Sequence, residues 1–219
     1  MYEKNYINSI SNWLKESTFK IEQQSIDLES FFDRLNSLLI KVQKSQGRIF
    51  FFGNGASAAF SNHMALDWSK NGGIMAFSLS DSSLFTALSN DYSYVDAFVE
   101  FMKIYSINSN DIVVTTSSSG NSPNIVNVLN YCKENNIPSL GLSGLNAGNK
   151  TEEITDFSVF VPSKTYGMVE CIHQIFHHLI LDKFMNIEEW KKTESQNMNA
   201  NNFKLWWKLQ LQVLEKLDN

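Results

Sequence analysis

The hydrophobic pattern changes period along the chain, and each change marks an element. Over 2–20, Tyr6, Ile10, Trp13 and Leu14 recur at helical spacing. Over 21–46 the stripe is stronger: Ile26, Phe31, Leu35, Leu38, Leu39 and Val42 share one face, and Gly47 stands where a helix ends. Two amphipathic helices are therefore expected, packed on a sheet or on another subunit. From Arg48 the pattern switches. Arg48-Ile49-Phe50-Phe51-Phe52 shows no alternation, as in a strand buried on both faces. Gly53-Asn54-Gly55-Ala56-Ser57 follows and opens a helix over about 58–70. Short apolar runs at 74–79, 111–115, 138–142 and 156–161 read as strands, with helical segments at 81–88, 94–105, 125–134 and 165–185. Strands alternating with helices predict an α/β fold, a doubly wound, mostly parallel sheet flanked by helices. The organisation expected is an N-terminal helical pair (1–46), a sheet domain (47–186) and a C-terminal helical extension (187–219). The extension carries Trp206 and Trp207 and either docks back on the domain or contacts a partner.

Ligands of such sheets bind outside the carboxyl ends of the strands. The densest chemistry at such an end is Thr115-Thr116-Ser117-Ser118-Ser119-Gly120-Asn121-Ser122-Pro123-Asn124. A strand empties here into a hydroxyl-rich loop, and a helix starts at once. Ser122 suits an N-cap and Pro123 a first helical position. The unpaired N–H groups of the helix start carry partial positive charge and suit a phosphate. Neither this loop nor Gly53–Ser57 has the spacing of a dinucleotide fingerprint or a P-loop.

Composition narrows the partners. The 219 residues carry a net charge of -5 with pI near 5.4, and no segment forms a basic stripe, so nucleic acid is not an expected partner. Cys132 and Cys171 read as buried free thiols. No apolar run is long enough to span a bilayer, and the first residues lack the order of a signal peptide, so the expectation is a soluble cytoplasmic protein with no membrane partner.

Four histidines remain. His63 and Asp67 are four apart in one predicted helix, and Glu170 and His178 eight apart in another, with His173 between them. Two such faces together suit a divalent metal or proton transfer, and Zn²⁺, Mn²⁺ or Fe²⁺ match the donors. From spacing alone the alternative, ordinary hydrogen-bonded histidines, stays open. His177 faces away from His178 and reads as structural.

In combination, Phe52-Gly53-Asn54-Gly55-Ala56-Ser57-Ala58-Ala59 with His63, Asn90-Asp91-Tyr92, Ser117 to Asn124, Gly141-Leu142-Ser143-Gly144, and Val161-Pro162-Ser163 leading to His173 and His178 resemble the sugar isomerase (SIS) family, within it the phosphoheptose isomerases. The resemblance covers about 2–185. It implies that Ser57, Ser117, Ser118, Ser119 and Ser122 hold a sugar phosphate and that Asn54 and Asp91 contact sugar hydroxyls. It also implies that His63, Asp67, Glu170 and His178 form a metal-linked set, often holding zinc, one per subunit, with Glu170 also beside the substrate. Asp67 takes the place of the general base and His178 that of its proton-transfer partner. A homotetramer with active sites at subunit interfaces is implied too. Several residues depart from the family pattern: Asp67 replaces Glu, Glu170 replaces Gln, Cys171 replaces an acidic residue, Met168 replaces Arg, and Lys70 is displaced by one position.

The function implied is aldose–ketose isomerisation of sedoheptulose 7-phosphate to heptose 7-phosphate, with metal-assisted proton transfer, toward a lipopolysaccharide or capsule precursor. The departures keep two alternatives in view. One is an isomerase or epimerase for another phosphosugar in surface-polysaccharide synthesis. The other is a non-catalytic sugar-phosphate-binding tetramer that partners the replication initiator.

Overall fold

The computed structural model describes residues 1–191. Met1–Asn186 form one compact unit. Five parallel strands build its centre: β3 (Ile49–Gly53), β4 (Ala76–Ser78), β5 (Ile112–Ser117), β6 (Ser139–Gly144) and β7 (Phe157–Val161). Two further strands, β1 (Thr18–Ile21) and β2 (Gln24–Ile26), form an antiparallel hairpin, and β1 joins β7 antiparallel. The sheet order is β2-β1-β7-β6-β5-β3-β4. The expected α/β class and mostly parallel sheet are observed.

The hairpin is the main departure from the expected elements. The helical stripe read from residue 21 begins only at Leu28: α1 spans Tyr2–Glu16 and α2 spans Leu28–Lys44. Asp27 caps α2 by accepting a hydrogen bond from Ser30 N at 2.9 Å. Just before it, Glu22 and Gln23 take positive φ (48° and 64°) and turn the chain between β1 and β2. The edge of β7 supplies the tertiary pairing that outweighs local helical periodicity. Residues 1–46 thus contribute to the main sheet and core, with Phe19, Phe31, Phe32 and Leu35 buried.

The remaining helices are α3 (Ala56–Asp67), α4 (Ser82–Asp91), α5 (Ala97–Ile104), α6 (Pro123–Glu134), α7 (Lys150–Ile154) and α8 (Tyr166–Phe184). The central strands are buried on both faces. Ile49, Phe51, Ile112 and Val114 join one core with residues of α2, α3 and α8, while Phe50, Phe52 and Val113 join another with α5 and α6. This division follows the two-residue side-chain period of a strand. Cys132 is buried as expected, and burial pushes its thiol up. Cys171 is exposed, because its position on α8 turns away from the core. Of the extension, 192–219, including Trp206 and Trp207, lie outside the described residues.

At the opposite end of the sheet from the Ser loop, the nearly buried Asp111 carboxylate accepts from Arg48 Nε (3.0 Å), Arg48 Nη2 (2.8 Å), and the backbone N–H groups of Arg48 (2.9 Å) and Asn108 (3.0 Å). It ties the loop before β5 to the start of β3. Asp111→Asn keeps the shape and loses the charge-assisted pairing, so a stability loss of about 2 kcal/mol is expected in urea titration.

Candidate active site

The strand order reverses between β3 and β5, since the chain runs outward from β3 to β4 and then returns to start β5 on the other side. The loops leaving these two strands flank that switch point. Gly53 ends β3, and a Cβ there would lie 2.7 Å from Ser57, so only glycine allows the first turn of α3 to fold back this tightly. Ser57 is thereby brought against the loop after β5. That loop turns at Gly120 (φ +65°) and is pinned from behind by α7, an element the hydrophobic pattern did not show. Thr151 N and Oγ1 donate to Gly120 O at 2.9 and 3.1 Å, and Lys150 N donates to Asn121 Oδ1 at 3.0 Å.

The loops enclose a cleft of about 110 Å³ lined by Asn54, Ser57, Thr116, Ser117, Ser118, Ser119, Ser122, Tyr166 and Glu170. A larger groove of about 470 Å³ lies at the other end of the sheet, by Asn136, Pro138 and Asp156, and has no hydroxyl-lined helix start. Ser122 is the N-cap of α6 and Pro123 its first residue, as expected. The Ser122 hydroxyl does not cap its own helix; it lies 3.2 Å from Ser117 Oγ, on the cleft side. Hydroxyls and the open α6 start suit a phosphate. Among the described residues no Lys or Arg lines the cleft, and its one carboxylate is Glu170.

Asn54 is held by partners that sequence reasoning missed. Its amide exchanges reciprocal hydrogen bonds with Asn124 (3.0 and 2.8 Å), and Tyr94 Oη donates to Asn54 Oδ1 at 2.8 Å. Asn124 is buried in the first turn of α6, so the loop that offers the hydroxyls also fixes the amide. Asp91 is not brought to this cleft. It is exposed at the end of α4, where Asn90 Nδ2 donates to its carboxylate at 3.0 Å.

A second cluster lies where α3 meets α8. His63, Asp67 and His178 offer ligand atoms all within 4.8 Å of one another, the one such metal-capable group among the described residues. His63 Nε2 is 3.2 Å from Asp67 Oδ2, and the His63 and His178 rings lie 5.5 Å apart, edge to face. Asn71 Nδ2 donates to Asp67 Oδ1 at 3.3 Å. Gln174 Nε2 meets His178 Nε2 at 2.8 Å, another contact not read from the sequence. Two imidazoles and a carboxylate are a donor set suited to zinc. Glu170, expected as a fourth ligand, is not in this group. It stands eight residues from His178 on α8, roughly 12 Å along the axis, and lines the Ser-loop cleft instead.

Residues 6–144 match the family model of the SIS domain. The chain belongs to the SIS-domain family. Relatives agree. The chain is 32% identical over 151 residues to a phosphoheptose isomerase of Helicobacter pylori (strain Shi470), covering 66% of this chain and 78% of that protein. It is 31% identical over 185 residues to a phosphoheptose isomerase of Aneurinibacillus thermoaerophilus, covering 82% and 90%. The structure of phosphoheptose isomerase from Neisseria gonorrhoeae superposes with a TM-score of 0.65 at 26% identity, over 71% of this chain and 86% of that one.

In this SIS-domain chain the other two histidines sit beneath the site. His177 Nε2 lies 2.9 Å from Thr116 Oγ1, and His173 Nε2 lies 3.0 Å from the Ser143 carbonyl oxygen, which makes Nε2 the protonated nitrogen of His173. Both are buried, His177 facing away from His178 as expected. Burial lowers His173 to about 4; burial, with the neighbouring His173 and His178, lowers His177 to about 3.

Proposed function

We propose that this protein is a sugar-phosphate aldose–ketose isomerase acting on sedoheptulose 7-phosphate or a close relative. The observation that carries the reading is the cleft at the switch point, where Ser57, Ser117, Ser118, Ser119 and Ser122 meet the open N-terminus of α6. The phosphoheptose isomerase names of its relatives point to the substrate class.

The phosphate is held by neutral hydroxyls and backbone dipoles, which position it without ion pairing. Asn54, with its amide fixed by Asn124 and Tyr94, orients the sugar hydroxyls. Tyr166 and Glu170 border the same space from α8. His63, Asp67 and His178 hold a divalent cation, with zinc as the best match to the donors. When bound, it supplies a Lewis acid for negative charge developing on a sugar oxygen. Asp67 and His178, which the family resemblance makes the proton-transfer pair, both belong to this metal-capable trio.

Incubation with sedoheptulose 7-phosphate, followed by NMR, tests the reading: an aldose product is expected, and no turnover with added Zn²⁺ would sink the substrate assignment. His63→Ala is expected to weaken Zn²⁺ binding at least tenfold in competition with a chromogenic chelator. Unchanged affinity would remove the trio from the metal site.

A homotetramer is part of the proposal. Apolar residues stand exposed on α1 (Tyr2, Ile7), on α3 (Leu66) and beside β4 (Met75), giving subunits surface to bury. Light scattering at micromolar concentration should give four times the chain mass. Among the described residues no helix is long and apolar enough to cross a membrane.

A further inference from the structure

We propose that Glu152, which lies on α7 outside the cleft, is a positioning residue for the phosphate: with Lys20 of β1 it clamps Asn149 behind Gly120 and so holds the hydroxyl loop in its gripping shape. The inference rests on the phosphosugar reading of the cleft above. Among the described residues no Lys or Arg lines that cleft, so its hold on an anion depends on where Ser117, Ser118, Ser119 and Ser122 stand. A point charge attracts from many directions, whereas a hydroxyl or a backbone N–H must be aimed. Whatever fixes the loop therefore sets the affinity.

The loop is fixed from α7. Gly120 O accepts from Thr151 N and Oγ1, and Asn121 Oδ1 accepts from Lys150 N. The Asn149 side chain fills the space behind the turn, so close that a Cβ on Gly120 would lie 2.0 Å from its Oδ1. α7 has five residues, too few to hold this place by its own hydrogen bonds. Glu152 supplies the hold. Its Oε1 accepts from Gly148 N at 2.9 Å and from Asn149 Nδ2 at 3.0 Å, while Asn149 Oδ1 accepts from Glu152 N at 3.2 Å. This reciprocal exchange, of the kind found in a capping box, locks the Asn149 amide against the Gly120 turn.

Lys20 closes this chain of contacts. Its Nζ donates to Glu152 Oε2 at 2.8 Å. The Glu152 side chain is 3% exposed, so its charge is nearly buried and Lys20 balances it. Without that ammonium, an unpaired negative charge would stand beside Thr151, which holds the loop that receives an anion. Lys20 thus acts on the phosphate from β1, although β7 and β6 separate β1 from β5 in the sheet.

The test is calorimetry on the full chain with sedoheptulose 7-phosphate and, separately, with inorganic phosphate. Glu152→Ala frees Asn149 and is expected to weaken phosphosugar binding about a hundredfold, the loss that goes with a shift of about 1 Å. Glu152→Gln keeps an acceptor for Gly148 and Asn149 and should lose about fivefold, with the change in KM and not in kcat. Lys20→Met leaves the carboxylate buried and unpaired and should lose about tenfold; adding Glu152→Gln to it should recover most of that loss. Asp111→Asn, at the opposite end of the sheet, is the control for stability: its urea midpoint falls while phosphosugar affinity stays within about twofold of wild type. Affinity within about threefold of wild type in Glu152→Ala overturns the proposal, and so does an equal loss of affinity in Asp111→Asn. A double variant that binds no better than Lys20→Met removes Lys20 from the clamp. Should Glu152→Ala not fold, Glu152→Gln decides: a loss on kcat, or no loss, overturns the proposal. A wild-type protein that binds inorganic phosphate but not sedoheptulose 7-phosphate sinks the substrate assignment alone, and the variants are then compared with inorganic phosphate. One that binds neither overturns the phosphate reading of the cleft and this inference with it.

Discussion

Changing Gly120 to alanine is expected to lower stability by about 3 kcal/mol and to weaken phosphosugar binding more than a hundredfold. Two costs combine. Gly120 has φ +65°, a left-handed conformation that costs other residues roughly 1–2 kcal/mol. An added Cβ would also lie 2.0 Å from Asn149 Oδ1 and 2.8 Å from Asn149 Cβ. Asn149 cannot yield, because it is buried, caps α7, and donates from Nδ2 to Ser143 Oγ, Asn146 O and Glu152 Oε1 at 3.0–3.1 Å. Overpacking of such a contact adds about 1–3 kcal/mol. The strain moves the loop, and a shift near 1 Å is enough to cost about a hundredfold where groups must be aligned. Urea titration reads the first effect, and calorimetry with phosphosugar the second. Binding within threefold of wild type would show that the loop does not grip the phosphate.

Acid should destabilise the protein by about 4 kcal/mol between pH 7.5 and pH 5 through His173 and His177 alone. Both are lowered in the folded state, to about 4 and about 3, chiefly by burial. A group whose folded pKa lies below its unfolded value binds its proton first in the unfolded chain. Stability from these two is therefore full above the unfolded value near 6.5 and falls away as pH drops toward 3 to 4. At pH 5 each has lost about 2 kcal/mol, from roughly 1.5 pH units at 1.36 kcal/mol per unit. The structure gives the cause. His173 Nδ1 is buried with no partner, so a second proton there finds no acceptor. Replacing His177 by Gln leaves an amide to meet Thr116 Oγ1 and removes one titration. About half of this pH dependence should then disappear from the urea midpoints measured across the range. A variant whose pH dependence matches wild type would place the acid sensitivity elsewhere.

The chemistry of the cleft was legible because it is local. Ser117 to Ser122, Pro123 and the glycine turn after β3 fall within short stretches whose backbone roles the residue types dictate, and Asn54, Ser57 and four loop serines all reach the cleft. The two-faced burial of β3 could be read from an apolar run without alternation. What could not be read depends on distant partners. The β1–β2 hairpin exists because β7 offers an edge, and its sequence alone looks like the start of a helix. The short α7 matters for what it pins. The division of the acidic groups, with Asp67 in the trio and Glu170 in the cleft, follows from which faces of α3 and α8 meet, and an eight-residue spacing cannot distinguish a shared ligand set from two neighbouring sites. Asp91 shows the same limit, since its motif is present while its side chain lies at the exposed end of α4.

The pairing of Thr18 with Phe160 fixes an order of events during synthesis. A chain made from its N-terminus produces β1 among its first elements and β7 after most of the sheet. Until then the hairpin holds one row of backbone donors and acceptors without their sheet partner, a state that invites pairing with another chain. Closing so long a loop costs entropy before any contact repays it. The first strand to emerge is among the last to be satisfied, so truncations ahead of residue 157 should aggregate through β1 where full-length chains stay dispersed.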